Sequence, residues 1–332
     1  MAKNRVLILG AGFSKPAGGP LMKEILTTDR ISSSPADRNV LSFLGNTEMQ
    51  GVSGSPLTIE DLFTNIWREA RTGGSFRIGT DELDAQTILR ELTIHLTSIC
   101  TSIRLRRRSN AWNTYTTFLY DIYQRSKDLK IITFNYDLLA EQCLDDIDVD
   151  YFYGHNIDLV FDNPGRRRSI KRGRELVPIY KLHGSSNWGT CRGCRKTDKM
   201  DDLIISFEKP YIPQRRRSCP YCGEPYLEPG IIPPIFGKAG EARHIEYAWK
   251  EARNALKRAN EIVIIGYSLP EADLEAFSLI REITTVDPKP KVTIVCGPDG
   301  APTSYNKVLS EYSDSKQYFE DFAIAQLSKR AN

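Results

Sequence analysis

Four short apolar runs, each followed by small or polar residues, form the strongest pattern in the chain. They open the segments 5–14, 130–137, 261–269 and 291–297, and each is a nearly unbroken stretch of aliphatic or aromatic residues. Strands that are buried on both faces read in this way, whereas half-exposed strands alternate apolar and polar residues. We therefore predict four strands of a buried parallel sheet, with polar residues lining a cleft at their carboxyl ends.

Helical periodicity fills the spaces between these runs, at 138–144, 245–258 and 274–283. Strands that alternate with helices are typical of α/β proteins, so we predict a Rossmann-like parallel sheet with helices on both faces. The stretch from about 35 to 123 reads helical throughout, with Gly and Ser breaks. It predicts a smaller helical insert after the first strand.

Composition and charge narrow the functional classes. The 332 residues are 40% apolar and 26% charged, which excludes a disordered chain, and 45 Lys and Arg against 42 Asp and Glu leave a net charge of only +3. This balance provides no overall attraction to nucleic acid or to a membrane. The arginine-rich runs at 104–108, 166–174 and 215–217 are scattered, so we interpret them as solvated loops and expect no direct nucleic-acid binding.

Targeting signals are missing from the pattern. No apolar run reaches the roughly 18 to 20 residues of a membrane helix. The apolar run near Arg5 is too short for the core of a signal peptide. We therefore expect a cytoplasmic protein without membrane contact.

Four of the seven cysteines form two Cys-x-x-Cys pairs, Cys191 with Cys194 and Cys219 with Cys222. In a reducing compartment such pairs favour a metal over disulfides, and four thiolates satisfy a tetrahedral Zn²⁺ ion that has no open position. We therefore predict a four-cysteine zinc module with a structural role. The long spacer between the pairs leaves an absent metal or redox-active thiols as the alternative. The remaining cysteines are interpreted as inert buried thiols: Cys100, Cys143 and Cys296.

The segment Gly10-Ala-Gly-Phe-Ser14 follows the first predicted strand. Glycines at this place let the backbone approach a pyrophosphate, although an ordinary tight turn is the alternative. The third glycine of the dehydrogenase fingerprint is replaced by Lys15, which disfavours a simple dehydrogenase.

Three polar residues near predicted strand ends are candidates for catalysis. His183 precedes a glycine turn, where an imidazole can act as a general base near neutral pH, and a hydrogen-bonded core histidine is the alternative. Asn135 can orient a water or a ribose hydroxyl, and Asp137 can hold an amide or stabilise positive charge. Either residue could instead cap the helix that begins at Leu138.

Taken in order, these pieces resemble the sirtuin family. The resemblance spans about residues 5 to 300 and rests on Gly10-Ala-Gly-Phe-Ser14 with Gly18-Gly-Pro20, Thr133-Phe-Asn-Tyr-Asp137, Leu182-His-Gly-Ser185, the two cysteine pairs, Ile235-Phe-Gly237 and Gly266-Tyr-Ser-Leu269. It implies a Rossmann-like NAD domain with a smaller helical and zinc module. It also implies chemistry that breaks the bond between nicotinamide and ribose.

The resemblance further implies a phosphate loop, a second cofactor loop, two residues that hold the nicotinamide ribose and carboxamide, and a catalytic base. The phosphate loop would comprise Gly10, Ala11, Gly12 and Ser14, and the second cofactor loop would comprise Gly266 and Ser268. Asn135 and Asp137 would hold the nicotinamide ribose and carboxamide, and His183 would be the catalytic base. Loss of neutral nicotinamide leaves an oxocarbenium-like carbon, which needs a positioned nucleophile and a base near pH 7.

Departures from the deacylases of this family indicate a different nucleophile. Met22 and Lys23 stand where those enzymes have Phe and Arg. Phe134 and Tyr136 replace their Gln and Ile, and Lys238 follows a Phe-Gly pair where they favour Glu. The motifs are similar instead to those of the sirtuin-like NAD hydrolases of bacterial anti-phage defence, in which water replaces the acetyl oxygen as nucleophile.

We therefore hypothesise an NAD hydrolase that releases nicotinamide and ADP-ribose and acts in prokaryotic anti-phage defence by depleting NAD. Its catalytic residues would be Asn135, His183 and Asp137, with NAD as substrate and Zn²⁺ as a structural ion. A protein deacylase and a non-catalytic NAD or ADP-ribose sensing subunit are the alternatives. The resemblance implies restraint by a homo-oligomer or by a separately encoded ATPase, helicase or Argonaute-like partner.

The predicted domain organisation is a single sirtuin-like unit over 1–332. Its NAD-binding part comprises 1–34, 124–188 and 225–332, with the helical insert at 35–123 and the zinc module at 189–224.

Overall fold

A computed structural model describes residues 3–21, 24, 58–78, 81–153, 176–191, 193–194, 197–199, 219, 221–224, 227–235, 245–271 and 273–328 of the chain. Its strands are β1 (Lys3–Leu9), β2 (Ser75–Ile78), β3 (Asp81–Asp84), β4 (Ser126–Thr133), β5 (Tyr151–Phe152), β6 (Val177–Lys181), β7 (Gly184–Cys191), β8 (Thr197–Lys199), β9 (Leu227–Ile231), β10 (Glu261–Ile265), β11 (Lys291–Val295) and β12 (Ser313–Asp314).

Seven of these strands form one sheet in the order β12-β11-β10-β1-β4-β6-β5, and all neighbours in it are parallel. The central strand is β1, in which Leu7 pairs with Val263 of β10 on one side and with Ile131 of β4 on the other. Val6 to Leu9 are all buried. The predicted parallel sheet is confirmed, and each of the four apolar runs supplies one of its strands.

The helices are α1 (Ala11–Ser14), α2 (Ile59–Thr72), α3 (Ala85–Ser102), α4 (Asn110–Arg125), α5 (Leu139–Asp146), α6 (Glu246–Arg258), α7 (Leu274–Arg281) and α8 (Phe319–Ser328). The chain crosses from β1 to β4 in one direction along the sheet and from β6 to β10 in the other. Right-handed crossovers therefore place the intervening helices on opposite faces. Within the described ranges, no helix combines the length and apolar character needed to cross a bilayer.

The described helices of the predicted insert divide between two hydrophobic cores. Helices α2 and α3, joined by the β2–β3 hairpin, bury Phe63 and Leu96 in a small core that also takes up Tyr136 and Ile231. Helix α4 contributes Tyr115 to the main core, where its ring packs on Phe13 and Phe319. The domain boundaries stay predictions.

The turns after β1 and β10 pack together with almost no space between their backbones. The Gly12 N–H donates to the Gly266 carbonyl at 2.8 Å, and the Gly10 N–H donates to the Ile265 carbonyl at 3.0 Å. A Cβ atom on Gly10 would lie 2.5 Å from the Cα of Tyr267, and one on Gly266 would lie 2.3 Å from the Phe13 nitrogen. The glycines are required here by the contact between the two turns.

Substitution of Gly266 should therefore lower the free energy of unfolding by more than the strain of its backbone conformation alone explains. Gly266 has a φ of 64°, and Gly73, at the end of α2, has a φ of 71° with open space around its Cα. Gly73→Ala is the matched control, because its cost is conformational strain of about 1 kcal/mol. We expect Gly266→Ala to lose a further 1–3 kcal/mol, roughly, through overpacking. Guanidinium unfolding measures both variants, and equal losses would contradict the steric argument.

Candidate active site and zinc site

The carboxyl ends of neighbouring strands bring the predicted site residues to one edge of the main sheet. The first residue after each of four strands donates its backbone N–H to the last carbonyl of an adjacent strand, at 2.8 to 3.0 Å; these donors are Gly10, Phe134, Leu182 and Gly266. Connections reverse direction at β1, and the ligands of open parallel sheets bind at such a switch point. Asn135 and His183 each follow one of these donors, on adjacent strands whose ends pair Thr133 with Lys181.

Ser14, Asn135 and Asp137 form a hydrogen-bonded group across the ends of β1 and β4. The Asn135 amide nitrogen donates to the Gly10 carbonyl at 2.9 Å and to the Ser14 hydroxyl at 3.1 Å. The Ser14 hydroxyl donates to Asp137 at 2.7 Å. Because a carbonyl only accepts, the amide nitrogen must face Gly10, and the Asn135 Oδ1 atom is therefore turned away from this group.

Asp137 is buried, and its two carboxylate oxygens accept from Ser14 and, at 3.0 Å, from the Leu139 backbone N–H at the start of α5. Asp137 therefore contacts both the Ser14 hydroxyl and the first residue of α5. Burial raises the pKa of the Asp137 carboxyl above its ordinary value, while the positive charge of Lys181 and the two hydrogen bonds act in the opposite direction.

A buried ion pair contacts the backbone of Asp137 in this hydrogen-bonded group. The Lys181 ammonium donates to the Asp137 backbone carbonyl at 2.5 Å and to Glu141 at 2.9 Å, and both charged side chains are almost fully buried. Tyr153 donates to Glu141 at 3.1 Å and accepts from Asn187 at 3.3 Å. A buried charge without a partner is costly, so this network restricts where Asp137 can lie.

His183 lies beside the group, in a shell of aromatic rings. Its ring centroid is 5.3 Å from that of Phe134, 6.1 Å from that of Tyr136 and 6.5 Å from that of Trp249. Its Nε2 atom lies 2.9 Å from Asp273 Oδ2, and about a tenth of its side chain remains exposed.

Sequence reasoning missed Asp273 and the aromatic shell. Asp273 is recognisable in the sequence only as an N-cap, and in the structure it does accept from Ala276 at the start of α7. No local pattern links it to His183. The Phe134 ring stacks on Tyr267 with centroids 3.9 Å apart. These rings come from separate strand ends, which explains why periodicity did not reveal them.

The predicted cofactor residues are gathered at the carboxyl ends of the strands, except for Ser268, which lies on the surface. Gly10, Gly12, Ser14, Asn135, Asp137 and Gly266 meet at the sheet edge together with Ala11. Ser268 is exposed, and its backbone carbonyl accepts from the Ser304 hydroxyl at 3.0 Å. The departures at Met22, Lys23 and Lys238 lie outside the described residues.

The four paired cysteines gather into one cluster beside the antiparallel sheet β8-β7-β9. Their sulfur atoms lie within 4.8 Å of one another, with 3.6 Å between those of Cys191 and Cys222 and 3.5 Å between those of Cys194 and Cys219. None of the four forms a disulfide. A tetrahedral ion with Zn–S distances of about 2.3 Å separates its sulfurs by about 3.8 Å. The cluster therefore fits a structural Zn²⁺ ion.

Comparison with known proteins identifies the family. The family model described as a SIR2-like domain matches residues 129–316, more than half of the chain. The chain belongs to the SIR2-like family.

One curated protein and two solved structures are similar to the chain at sequence identities of 14 to 29%. NAD-dependent protein deacylase 2 of Archaeoglobus fulgidus is 29% identical over 122 residues, and the match spans only 40% of that protein and 36% of this chain. A Sir2 homologue solved in complex with NAD aligns with 99% of this chain and 91% of its own, at 15% identity and a TM-score of 0.49. Sir2Tm bound to a propionylated peptide aligns with 98% and 93%, at 14% identity and a TM-score of 0.45.

The zinc site of this SIR2-like chain makes a direct prediction. We expect the purified protein to carry about one Zn²⁺ per chain, and Cys194→Ser to lose the ion and stability, because three thiolates no longer complete the tetrahedron. Cys296→Ser is the control, since Cys296 lies outside the cluster. Elemental analysis measures the zinc, and the same zinc content in both variants would exclude the assignment.

The buried carboxyl of Asp137 predicts a pH dependence of stability. Its folded-state pKa is raised above the ordinary value of 3.8, so the folded chain favours the neutral acid more than the unfolded chain does. The contribution of this group to stability therefore falls as pH rises from 3.8 through the folded-state pKa. Asp137→Asn keeps an acceptor for Ser14 and cannot titrate.

We expect the free energy of unfolding of the wild type, relative to Asp137→Asn, to decline as the pH rises from about 4 through the raised folded-state pKa of Asp137. Urea unfolding across that range measures the difference, and Asp299→Asn, which removes an exposed carboxylate elsewhere, controls for the buffer series. A difference that rises with pH would show that the positive charge of Lys181 and the two hydrogen bonds to Asp137 outweigh burial.

Proposed function

We propose that this SIR2-like protein is an NAD hydrolase that cleaves the bond between nicotinamide and ribose to give nicotinamide and ADP-ribose. The observation that carries the proposal is the placement of Asn135 and His183 directly after the adjacent strands β4 and β6, at the same carboxyl end of the sheet as the switch point at β1. The position is the one at which parallel α/β sheets bind nucleotides. Membership of a family that includes an NAD-dependent deacylase supports NAD as the substrate.

The reaction requires a site that can hold water and accept a proton. The bond from C1′ to the pyridinium nitrogen breaks, neutral nicotinamide leaves with the electron pair, and water adds to C1′ while it loses a proton. His183 takes that proton as general base. The contacts of the Asn135 amide nitrogen with Gly10 and Ser14 leave the Oδ1 atom on the opposite side. That oxygen accepts a hydrogen bond from the water or from a ribose hydroxyl.

Two substitutions relative to the family's deacylases support hydrolysis over deacylation. Phe134 and Tyr136, which replace Gln and Ile, place their ring centroids 5.3 Å and 6.1 Å from that of His183. Tyr136 is held there by a hydrogen bond of 2.7 Å from its hydroxyl to the Ile232 carbonyl. Bulky rings next to the imidazole reduce the room for an acyl-lysine chain. They therefore favour attack by a small nucleophile such as water.

An assay of NAD consumption with and without an acetylated peptide separates the candidates. Nicotinamide and ADP-ribose released without peptide support hydrolysis, whereas nicotinamide released only with peptide supports the deacylase. NAD that is bound but never consumed supports a sensing subunit. No nicotinamide under any assembly condition would overturn the proposal.

Asn135 and His183 should each be required for turnover. We expect Asn135→Ala and His183→Ala to lower kcat by about 10²-fold or more, because one removes the positioned acceptor and the other removes the base. Asn254→Ala is the control, since Asn254 lies on α6 and contacts Glu251. Liquid chromatography of the products measures the rates, and full activity in both site variants would refute these roles.

We also propose a biological setting, prokaryotic anti-phage defence by NAD depletion. An unrestrained NAD hydrolase would harm its own cell, so activity would be controlled by self-assembly or by a separately encoded partner such as an ATPase, helicase or Argonaute-like protein. Chromatography that shows a permanent monomer with full activity would contradict this control.

A further inference from the structure

A buried carboxylate contacts the imidazole of His183, and it comes from a distant part of the chain. Asp273 Oδ2 lies 2.9 Å from His183 Nε2, and only 4% of the Asp273 side chain and 10% of the His183 side chain are exposed. The contact is therefore largely shielded from water. A hydrogen bond to a carboxylate in such surroundings is stronger than one at the surface.

The position of Asp273 is fixed by two further donors. Tyr267 donates its hydroxyl to Oδ2 at 3.1 Å, and the Ala276 backbone N–H approaches Oδ1 at 3.4 Å. The Tyr267 ring is itself held by its stack on Phe134. Asp273 is thus placed by the start of α7 and by the turn after β10, independently of His183.

The contact has a direct chemical consequence for the imidazole. A carboxylate only accepts, so the proton of a neutral His183 ring resides on Nε2 and the lone pair resides on Nδ1. When the ring gains a second proton, the same carboxylate stabilises the cation that forms. Both effects would assist a general base.

We propose that Asp273 is a positioning residue that holds His183 in the Nε2–H tautomer, so that Nδ1 takes the proton of the attacking water. The catalytic part of this inference rests on the proposed NAD hydrolysis. The tautomer itself does not, because it is a property of the protein without substrate.

Nitrogen NMR of the full-length protein at about pH 8 tests the tautomer. Long-range ¹H–¹⁵N spectra distinguish the two ring nitrogens, and His183→Gln assigns the signal among the four histidines. We expect the Nε2–H form in the wild type and a shift towards the Nδ1–H form in Asp273→Asn, whose amide can donate to Nε2. Asparagine is as good an N-cap as aspartate, so α7 should be preserved in this variant.

Glu271→Gln is the matched control. It removes the same charge two residues away, from an exposed side chain paired with Lys307. We expect its spectrum at His183 to equal that of the wild type. An Nδ1–H or doubly protonated ring in the wild type would overturn the proposal, whether or not Asp273→Asn folds. An unchanged tautomer in a folded Asp273→Asn would also overturn it.

Kinetics provide the second readout. We expect Asp273→Asn to lower kcat for NAD by about 10²-fold or more with little change in KM, and Asp273→Glu to recover part of the loss. Wild-type kcat in Asp273→Asn would overturn the catalytic part. If the wild type releases no nicotinamide at all, NAD hydrolysis fails as the function, and the NMR result still decides whether Asp273 sets the tautomer.

Discussion

Close backbone contact between the turns after β1 and β10 is the constraint on which the site depends. Gly12 and Gly266 are joined by a hydrogen bond of 2.8 Å, and a Cβ atom on Gly12 would lie 2.7 Å from the Cα of Gly266. Two strands from opposite ends of the chain are thereby held in register where the connections reverse. Because Gly10 belongs to the same turn, its carbonyl is placed where the Asn135 amide can bind it.

Buried polar groups next to the site fix the positions of its side chains. The Lys181–Glu141 pair is almost fully buried, and the desolvation of its charges is offset only where further hydrogen bonds assist their mutual attraction. Here the Lys181 ammonium also binds the Asp137 backbone, and Asp137 in turn accepts from Ser14. A chain of partners therefore runs from the buried ion pair to Asn135.

The zinc module is connected to the same site through the backbone of His183. Strand β7 begins at Gly184, immediately after His183, and ends at the zinc ligand Cys191. The His183 carbonyl accepts from the Ile232 N–H at 2.8 Å, next to the end of β9, the partner of β7. A bound Zn²⁺ ion that holds Cys191 would thus stabilise the small sheet that positions the backbone of His183.

The sequence by itself determined the central strands, the cysteine cluster and the position of Asn135 and His183 after strand ends, because these follow from local patterns of apolar runs, ligand spacing and residues at strand ends. Only the tertiary structure decided that α4 packs in the main core, that Phe134 and Tyr136 surround His183, and that Asp273 pairs with it. The physical reason is that these contacts join segments far apart in the chain. Their partners are chosen by packing and burial, which local periodicity does not encode.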